Sequence, residues 1–169
     1  QHRAEFYPND LAAEEFKNEP IRPIPDSVAV DARKVELGYV LYHDTRLSGD
    51  GTISCASCHG INTAGVDNHQ YSDGINEQVG GINAPTSFNA VFNFVQFWDG
   101  RAENLAAQAA GPPLNPVEMG SASFEEIAAR IAEDKEFTAK FNEVYPEGLC
   151  EGTITDAIAE YEKTLITPN

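Results

Sequence analysis

The amino-acid sequence predicts a mostly α-helical domain with long loops. The C-terminal half carries capped helical patterns, residues 60–85 are rich in glycine without a clear period, and no alternating strand pattern of any length occurs. At 169 residues, the chain is long enough for one domain with its own core. No apolar run reaches the roughly eighteen residues of a membrane-spanning helix. We therefore expect an extended arm over residues 1–30 and a single domain over residues 31–169.

The N-terminal elements follow from proline and capping signals. Three prolines within residues 19–25 remove backbone donors and fix φ, which predicts an extended chain there. Asp31 is a suitable N-cap for a helix over about residues 32–43. Val35, Tyr39 and Tyr42 fall on one face of that helix. Residues 45–54 and 60–85 are predicted loops, and the length of the second indicates a functional role.

Three helices are predicted in the C-terminal half. Residues 102–110 are strong helix formers, and this run is expected to end at Gly111-Pro112-Pro113. A capping box at residues 123–126 opens a helix with four apolar side chains on one face: Phe124, Ile127, Ala128 and Ile131. The last helix repeats apolar residues at steps of four, three and four: Ile154, Ile158, Tyr161 and Leu165.

Residues 55–59 form a C-x-x-C-H motif, the attachment signature of a c-type haem. Each thiol would add across a haem vinyl group, and His59 would bind the iron as its proximal ligand. A zinc site would need a second pair of ligands, and no such pair occurs beside Cys55 and Cys58. A thioredoxin-like redox pair would need a surrounding βαβ pattern, which is also missing. The predicted fold class is therefore a mostly α c-type cytochrome domain with long loops around one covalently bound haem c.

The compartment and charge of the protein limit its partners. Covalent haem attachment indicates the periplasm, and Gln1 opens a polar segment, as in a processed chain. Cys150 is expected to be a partly buried free thiol. The net charge of −16 argues against nucleic acid and anionic membranes. It is compatible with steering towards a small redox protein with a basic surface, or with general acidity for solubility.

Several longer motifs carry a family resemblance, which covers residues 37–169. They are Leu-Ser-Gly-Asp-Gly-Thr-Ile-Ser-Cys at 47–55, Asn-Ala-Pro-Thr at 83–86, Phe-Trp-Asp-Gly-Arg-Ala at 97–102 and Pro-Val-Glu-Met at 116–119. With these motifs the chain resembles the N-terminal haem domain of bacterial dihaem cytochrome c peroxidases and the MauG group. The family continues into a second haem domain where this sequence stops. We therefore expect either a single-haem protein or a fragment of a dihaem enzyme.

The resemblance implies a peroxide site and its residues. Glu118 and Gln108 match the glutamate and glutamine that lie over the open face of the family's N-terminal haem. A carboxylate can move a proton between the two peroxide oxygens, and a neutral amide can hold peroxide by hydrogen bonds. Trp98 matches a tryptophan between the two haems, on a route for electrons. Arg101 is expected to fix a haem propionate or the loop, with an exposed salt bridge as the alternative.

The sixth iron ligand is where the sequence departs from the family. Ile75 stands where some members carry a gating histidine, and isoleucine cannot bind iron. Three alternatives remain: Met119 as in many electron carriers, His69 on the same loop, or water in an open site. Met119 can equally be a core residue, and His69 a surface residue.

Two functions follow from these alternatives. The favoured one is a peroxidase-type oxidoreductase that reduces hydrogen peroxide with electrons from an external one-electron donor. The other is a mono-haem cytochrome with a six-coordinate iron that only transfers electrons.

Overall fold

The computed structural model describes residues 23–167, which form seven α-helices and four single turns of 3₁₀-helix. The α-helices are α1 Ala32–Tyr42, α2 Cys55–Cys58, α3 Leu105–Ala109, α4 Gly111–Leu114, α5 Phe124–Ile131, α6 Lys135–Val144 and α7 Glu151–Glu162. The 3₁₀ turns are Thr45–Leu47, Ile61–Thr63, Ile75–Glu77 and Ala90–Phe92. In this part of the chain, β pairing is limited to two isolated bridges. The predicted mostly α fold is confirmed.

The predicted N-terminal arm is only partly visible. Residues 1–22 lie outside the described residues, and residues 23–30 contain neither helix nor strand. Between residues 23 and 167, no helix is both long and apolar enough to cross a bilayer.

Helices α1 and α7 pack against each other and form the centre of the fold. The Asp31 side chain accepts a hydrogen bond from the Arg33 N–H at 2.9 Å, so the predicted N-cap of α1 is confirmed. Gly38 lies where the two helices approach, and a Cβ atom there would be 1.9 Å from the Ala157 carbonyl oxygen. Tyr42 is buried in this contact, whereas Tyr39 is 54% exposed and meets the Tyr161 ring edge-on.

One main apolar core holds the helices together. It joins α1, α5, α6 and α7, and its fully buried side chains include Leu41, Leu47, Ile127, Phe141 and Ile158. The sequence analysis did not single out α6. Its signals were the Asp134 N-cap and two phenylalanines four residues apart, both of which the core buries.

The prediction of one helix over residues 102–110 was wrong at its N-terminal end, and it missed the short helix that follows. Helix α3 begins at Leu105 because the Asn104 side chain accepts a hydrogen bond from the Ala107 N–H, whereas Ala102 pairs with Gln96 in an isolated bridge. The segment Gly111-Pro112-Pro113 does not end the helical region but begins α4. Proline is tolerated in a first helical turn because its missing N–H would have no intrahelical partner there.

The two other predicted C-terminal helices are confirmed. Ser123 caps α5 through a hydrogen bond from the Glu126 N–H, and the apolar face of α5 is in the core. Helix α7 ends at Glu162, and Leu165 reaches the core after that end. The Cys150 thiol is free but exposed rather than partly buried, because this residue is the N-cap of α7.

Candidate haem site

The C-x-x-C-H motif forms a single capped helical turn. Ser54 precedes α2 and exchanges hydrogen bonds with Ser57, whose hydroxyl accepts from the Ser54 N–H at 3.0 Å. The His59 N–H donates to the Cys55 carbonyl at 2.9 Å, which closes the turn. Cys55, Cys58 and His59 are therefore held together by a few local hydrogen bonds.

Both motif cysteines are partly buried, and this burial acts on the pKa of each thiol. Burial raises the pKa of the Cys55 thiol to about 12. The pKa of the Cys58 thiol is also raised, mainly by burial and further by the negative charges of Asp67 and Glu118. A neutral S–H is the group that would add across a vinyl double bond, with its proton going to the second vinyl carbon.

The His59 ring is arranged as a metal ligand. Its Nδ1 lies 3.2 Å from the Gly65 carbonyl oxygen, which can only accept, and the Pro85 carbonyl is a second backbone acceptor for the ring. Burial lowers the pKa of His59, which favours the neutral ring. In the tautomer whose Nδ1–H donates to Gly65, Nε2 keeps a lone pair, as in metal-binding histidines whose other nitrogen donates to a backbone carbonyl.

Position 65, which supplies the carbonyl acceptor for His59, accommodates only glycine. Its φ is +74°, and a Cβ atom would lie 2.8 Å from the Ser87 backbone nitrogen and 2.6 Å from the Ser87 hydroxyl. The glycine thus lets residues 60–65 come close enough to orient the imidazole.

A buried tyrosine supports the backbone of His59. The Tyr42 hydroxyl donates to the His59 carbonyl at 3.0 Å and lies 3.2 Å from the Ser87 hydroxyl. The sequence analysis assigned Tyr42 only to a helix face and did not connect it with the motif. The sequence indicated only that Tyr42 lies on the apolar face of α1 and would therefore be buried.

Replacing this hydroxyl should loosen the turn. We expect Tyr42→Phe to lower the free energy of unfolding of the haem-loaded protein by about 1 kcal/mol, because a buried carbonyl loses its donor. Urea unfolding followed by circular dichroism measures this change. The exposed Tyr39→Phe is the control, and equal stabilities of the two variants would contradict the role of Tyr42.

Glu118 lies beside the haem-attachment turn. Its carbonyl accepts from the Ile75 N–H at 2.9 Å. Residues 74 and 117 approach so closely that a Cβ atom at Gly74 would lie 1.8 Å from the Val117 carbonyl oxygen. Burial raises the pKa of Glu118, opposed by the positive charge of Arg101 and a hydrogen bond from Asn115. The charge of Glu118 also acts on the Cys58 thiol, so the structure brings these two predicted residues together.

The structure does not link Gln108 to Glu118. Gln108 is half-buried on α3. Among the residues that the structure describes, its side chain makes no hydrogen bond and its backbone bonds serve the helix. Its distal role remains a prediction.

Trp98 and Arg101 belong to a strained turn over residues 96–102. Phe97 has a φ of +65°, which is unusual for a bulky residue, and the Arg101 guanidinium lies 3.5 Å from the centre of the Phe97 ring. Arg101 also pairs with Asp99 at 2.9 Å, which is the exposed salt bridge considered above. Trp98 is 65% exposed, and its Nε1–H donates to the Asn83 carbonyl at 2.9 Å.

The two candidate ligands for the sixth position, and the isoleucine that stands at the family's histidine position, have different surroundings. Met119 is 3% exposed and part of the main core. His69 is exposed, with Nδ1 3.5 Å from an Asp73 carboxylate oxygen. Ile75 is buried, and its side chain packs against Gly120. These surroundings agree with a packing role for Met119 and a surface role for His69.

The residues present fit a covalently bound haem. The two thiols and the imidazole belong to one capped turn, burial favours the neutral form of all three, and the half-buried carboxyl group of Glu118 is on the neighbouring loop. Together with the helical fold, they define a c-type haem-binding domain.

The chain belongs to the di-haem cytochrome c peroxidase family, which matches residues 32–169. It is 56% identical over 169 residues to the cytochrome c peroxidase Ccp of Escherichia coli, covering 100% of this chain and 36% of that protein. It is 46% identical over 153 residues to the cytochrome c551 peroxidase of Nitrosomonas europaea, covering 89% and 45% respectively. The resemblance found in the sequence motifs is thus confirmed.

The fold agrees with this family. A MauG-like protein associated with microbial copper homeostasis superimposes with a TM-score of 0.76 at 30% identity, over 88% of this chain and 45% of that structure. The chain therefore spans less than half the length of these relatives.

Proposed function

We propose that residues 31–169 form one peroxidase-type haem domain, which reduces hydrogen peroxide with electrons from an external one-electron donor. The supporting observation is the His59 ring, whose Nδ1 lies 3.2 Å from the Gly65 carbonyl oxygen; a hydrogen bond donated there would leave the Nε2 lone pair for iron. Cys55 and Cys58 would attach the haem. One C-x-x-C-H motif is present in the 169 residues, which supports one haem.

Proton transfer is the role that we propose for Glu118. The overall reaction consumes one peroxide, two electrons and two protons and yields two water molecules. A haem held by Cys55, Cys58 and His59 would supply the electrons, and the Glu118 carboxylate would take the proton from one peroxide oxygen and return it to the leaving oxygen. Its half-buried position beside Cys58 and its raised pKa suit a group that holds and releases a proton. Gln108 would hold peroxide by hydrogen bonds.

An open or water-occupied sixth position is part of this proposal. Ile75 cannot bind iron and is buried against Gly120. Met119 is surrounded by the apolar core, and His69 pairs with Asp73 at the surface. These contacts favour peroxide access over a fixed protein ligand.

Electrons would enter from a small redox protein with a basic surface. The net charge of −16 would speed the encounter with such a partner. The exposed Trp98 ring, fixed through its hydrogen bond to the Asn83 carbonyl, offers an aromatic contact on the way to the haem. Arg101 would stabilise the turn over residues 96–102 by stacking on Phe97, and its guanidinium could also bind a haem propionate. We place the protein in the periplasm, where c-type haem is attached.

Visible absorption spectra of the ferric and ferrous protein, recorded before and after adding peroxide, test this function. We expect high-spin ferric iron that reacts quickly with peroxide. Low-spin iron that ignores peroxide in both oxidation states would overturn the proposal and support the electron carrier with Met119 or His69 as sixth ligand. Met119→Ala separates these two ligands, because only a methionine-bound iron would become high-spin in that variant.

A further inference from the structure

Glu162 is a buried carboxyl group that the proposed peroxide chemistry does not use. It lies at the C-terminal end of α7 and is 8% exposed. Its Oε2 is buried and has no hydrogen-bond partner among the described residues. A buried carboxylate without a partner is costly, so this group is a candidate for a function.

The surroundings of Glu162 connect it with the haem-attachment turn. Tyr161, the residue before Glu162, meets the Tyr42 ring edge-on with 5.1 Å between ring centres, and the Tyr42 hydroxyl donates to the His59 carbonyl at 3.0 Å. At this end of α7, the negative charge of Glu162 acts on the Cys55 thiol, on Tyr42 and on Tyr161. From α3, the apolar residues Leu105 and Ala106 pack beside Ala159 of α7. The cation next in sequence, Lys163, is bonded to Glu160 instead. Within residues 23–167, no positive charge is shown to compensate Glu162.

We propose that Glu162 is a redox-linked proton site, which takes up one proton when the attached haem receives one electron. The inference rests on the proposed haem domain, since Cys55 would become a haem thioether close to this carboxylate. Adding an electron to the haem makes a nearby negative charge less favourable in a medium with little water. The carboxylate then binds a proton from solvent, and on reoxidation it releases that proton.

The direction of the pH dependence follows from this linkage. The ionised carboxylate stabilises the ferric form, so the midpoint potential should fall as Glu162 loses its proton. Burial raises the pKa of Glu162 to about 8, which places the window near neutral to mildly alkaline pH. The two tyrosines and the neutral Cys55 sulfur supply no competing charge in that window.

Spectroelectrochemical titration of the haem-loaded protein at several pH values tests the proposal. In the wild type we expect the midpoint potential to fall with rising pH around pH 8, and in Glu162→Gln we expect most of this slope to be lost. Glu160→Gln is the matched control, because Glu160 is also buried on α7 but is bonded to Lys163 and to the Asp31 N–H. In this variant the pH dependence of the midpoint potential should be the same as in the wild type.

A second measurement needs no variant. Recorded at a pH just above 8, where Glu162 is ionised in the ferric protein, the redox-difference infrared spectrum of the wild type should gain the C=O stretch of a protonated carboxylic acid on reduction. A pH-independent midpoint potential, or a slope that survives in Glu162→Gln, would overturn the inference, as would an infrared spectrum without that band. If no haem is covalently attached, the proposed function itself fails, and the pyridine haemochrome spectrum shows this before any titration.

Discussion

Glu118→Gln is expected to retain the haem and to lose peroxide turnover by about 100- to 10,000-fold, the range of general acid–base catalysis. Glutamine has nearly the same shape but cannot accept and return a proton. The backbone of residue 118 would keep its position, because the Ile75 N–H donates to its carbonyl and not to its side chain. Haem absorbance should therefore be unchanged while the steady-state rate of peroxide reduction falls.

A matched variant separates this effect from the loss of one negative charge. Glu125→Gln removes an exposed carboxylate from the first turn of α5, away from the motif. Its peroxide turnover should equal that of the wild type at the same ionic strength. If Glu118→Gln reduces peroxide as fast as Glu125→Gln, Glu118 is not the proton-transfer group, although the haem assignment would stand.

The sequence identified the groups that lie within one local motif or within a longer family motif. Cys55, Cys58 and His59 are adjacent, and a single capped turn brings them together without help from the rest of the chain. The caps of α1 and α5 were predictable for the same reason, because a cap depends on a side chain and an N–H two or three residues later.

The supporting groups depend on contacts between distant segments, which single-sequence patterns do not contain. Tyr42 reaches the His59 carbonyl from another helix, and the charge of Glu162 acts on Cys55 from α7, which packs on α1. The contact between these helices is also fixed at its edge, where the Asp31 N–H donates to Glu160 across 129 residues of sequence. Periodicity marked the apolar faces, but it could not indicate which faces meet.

The same helix contact explains the second large expected effect, that of Gly38→Ala. The new methyl carbon would lie 1.9 Å from the Ala157 carbonyl oxygen and 2.8 Å from the Tyr161 Cβ. The first of these is a backbone atom of a helix, so a rotamer change cannot relieve the clash and α1 has to move away from α7. Such overpacking costs about 3 kcal/mol, whereas the better helix propensity of alanine returns only about 1 kcal/mol.

We therefore expect Gly38→Ala to lower the free energy of unfolding of the haem-loaded protein by about 2 kcal/mol, measured by urea unfolding. Gly152→Ala is the control, because Gly152 lies in α7 and a Cβ atom there meets no atom within 4 Å. It should be as stable as the wild type or slightly more stable, by up to about 1 kcal/mol. If the two variants were equally stable, the close approach of α1 and α7 at Gly38 would be contradicted. The placement of Tyr42 on α1 and of Glu162 on α7 depends on the same helix contact and would be contradicted with it.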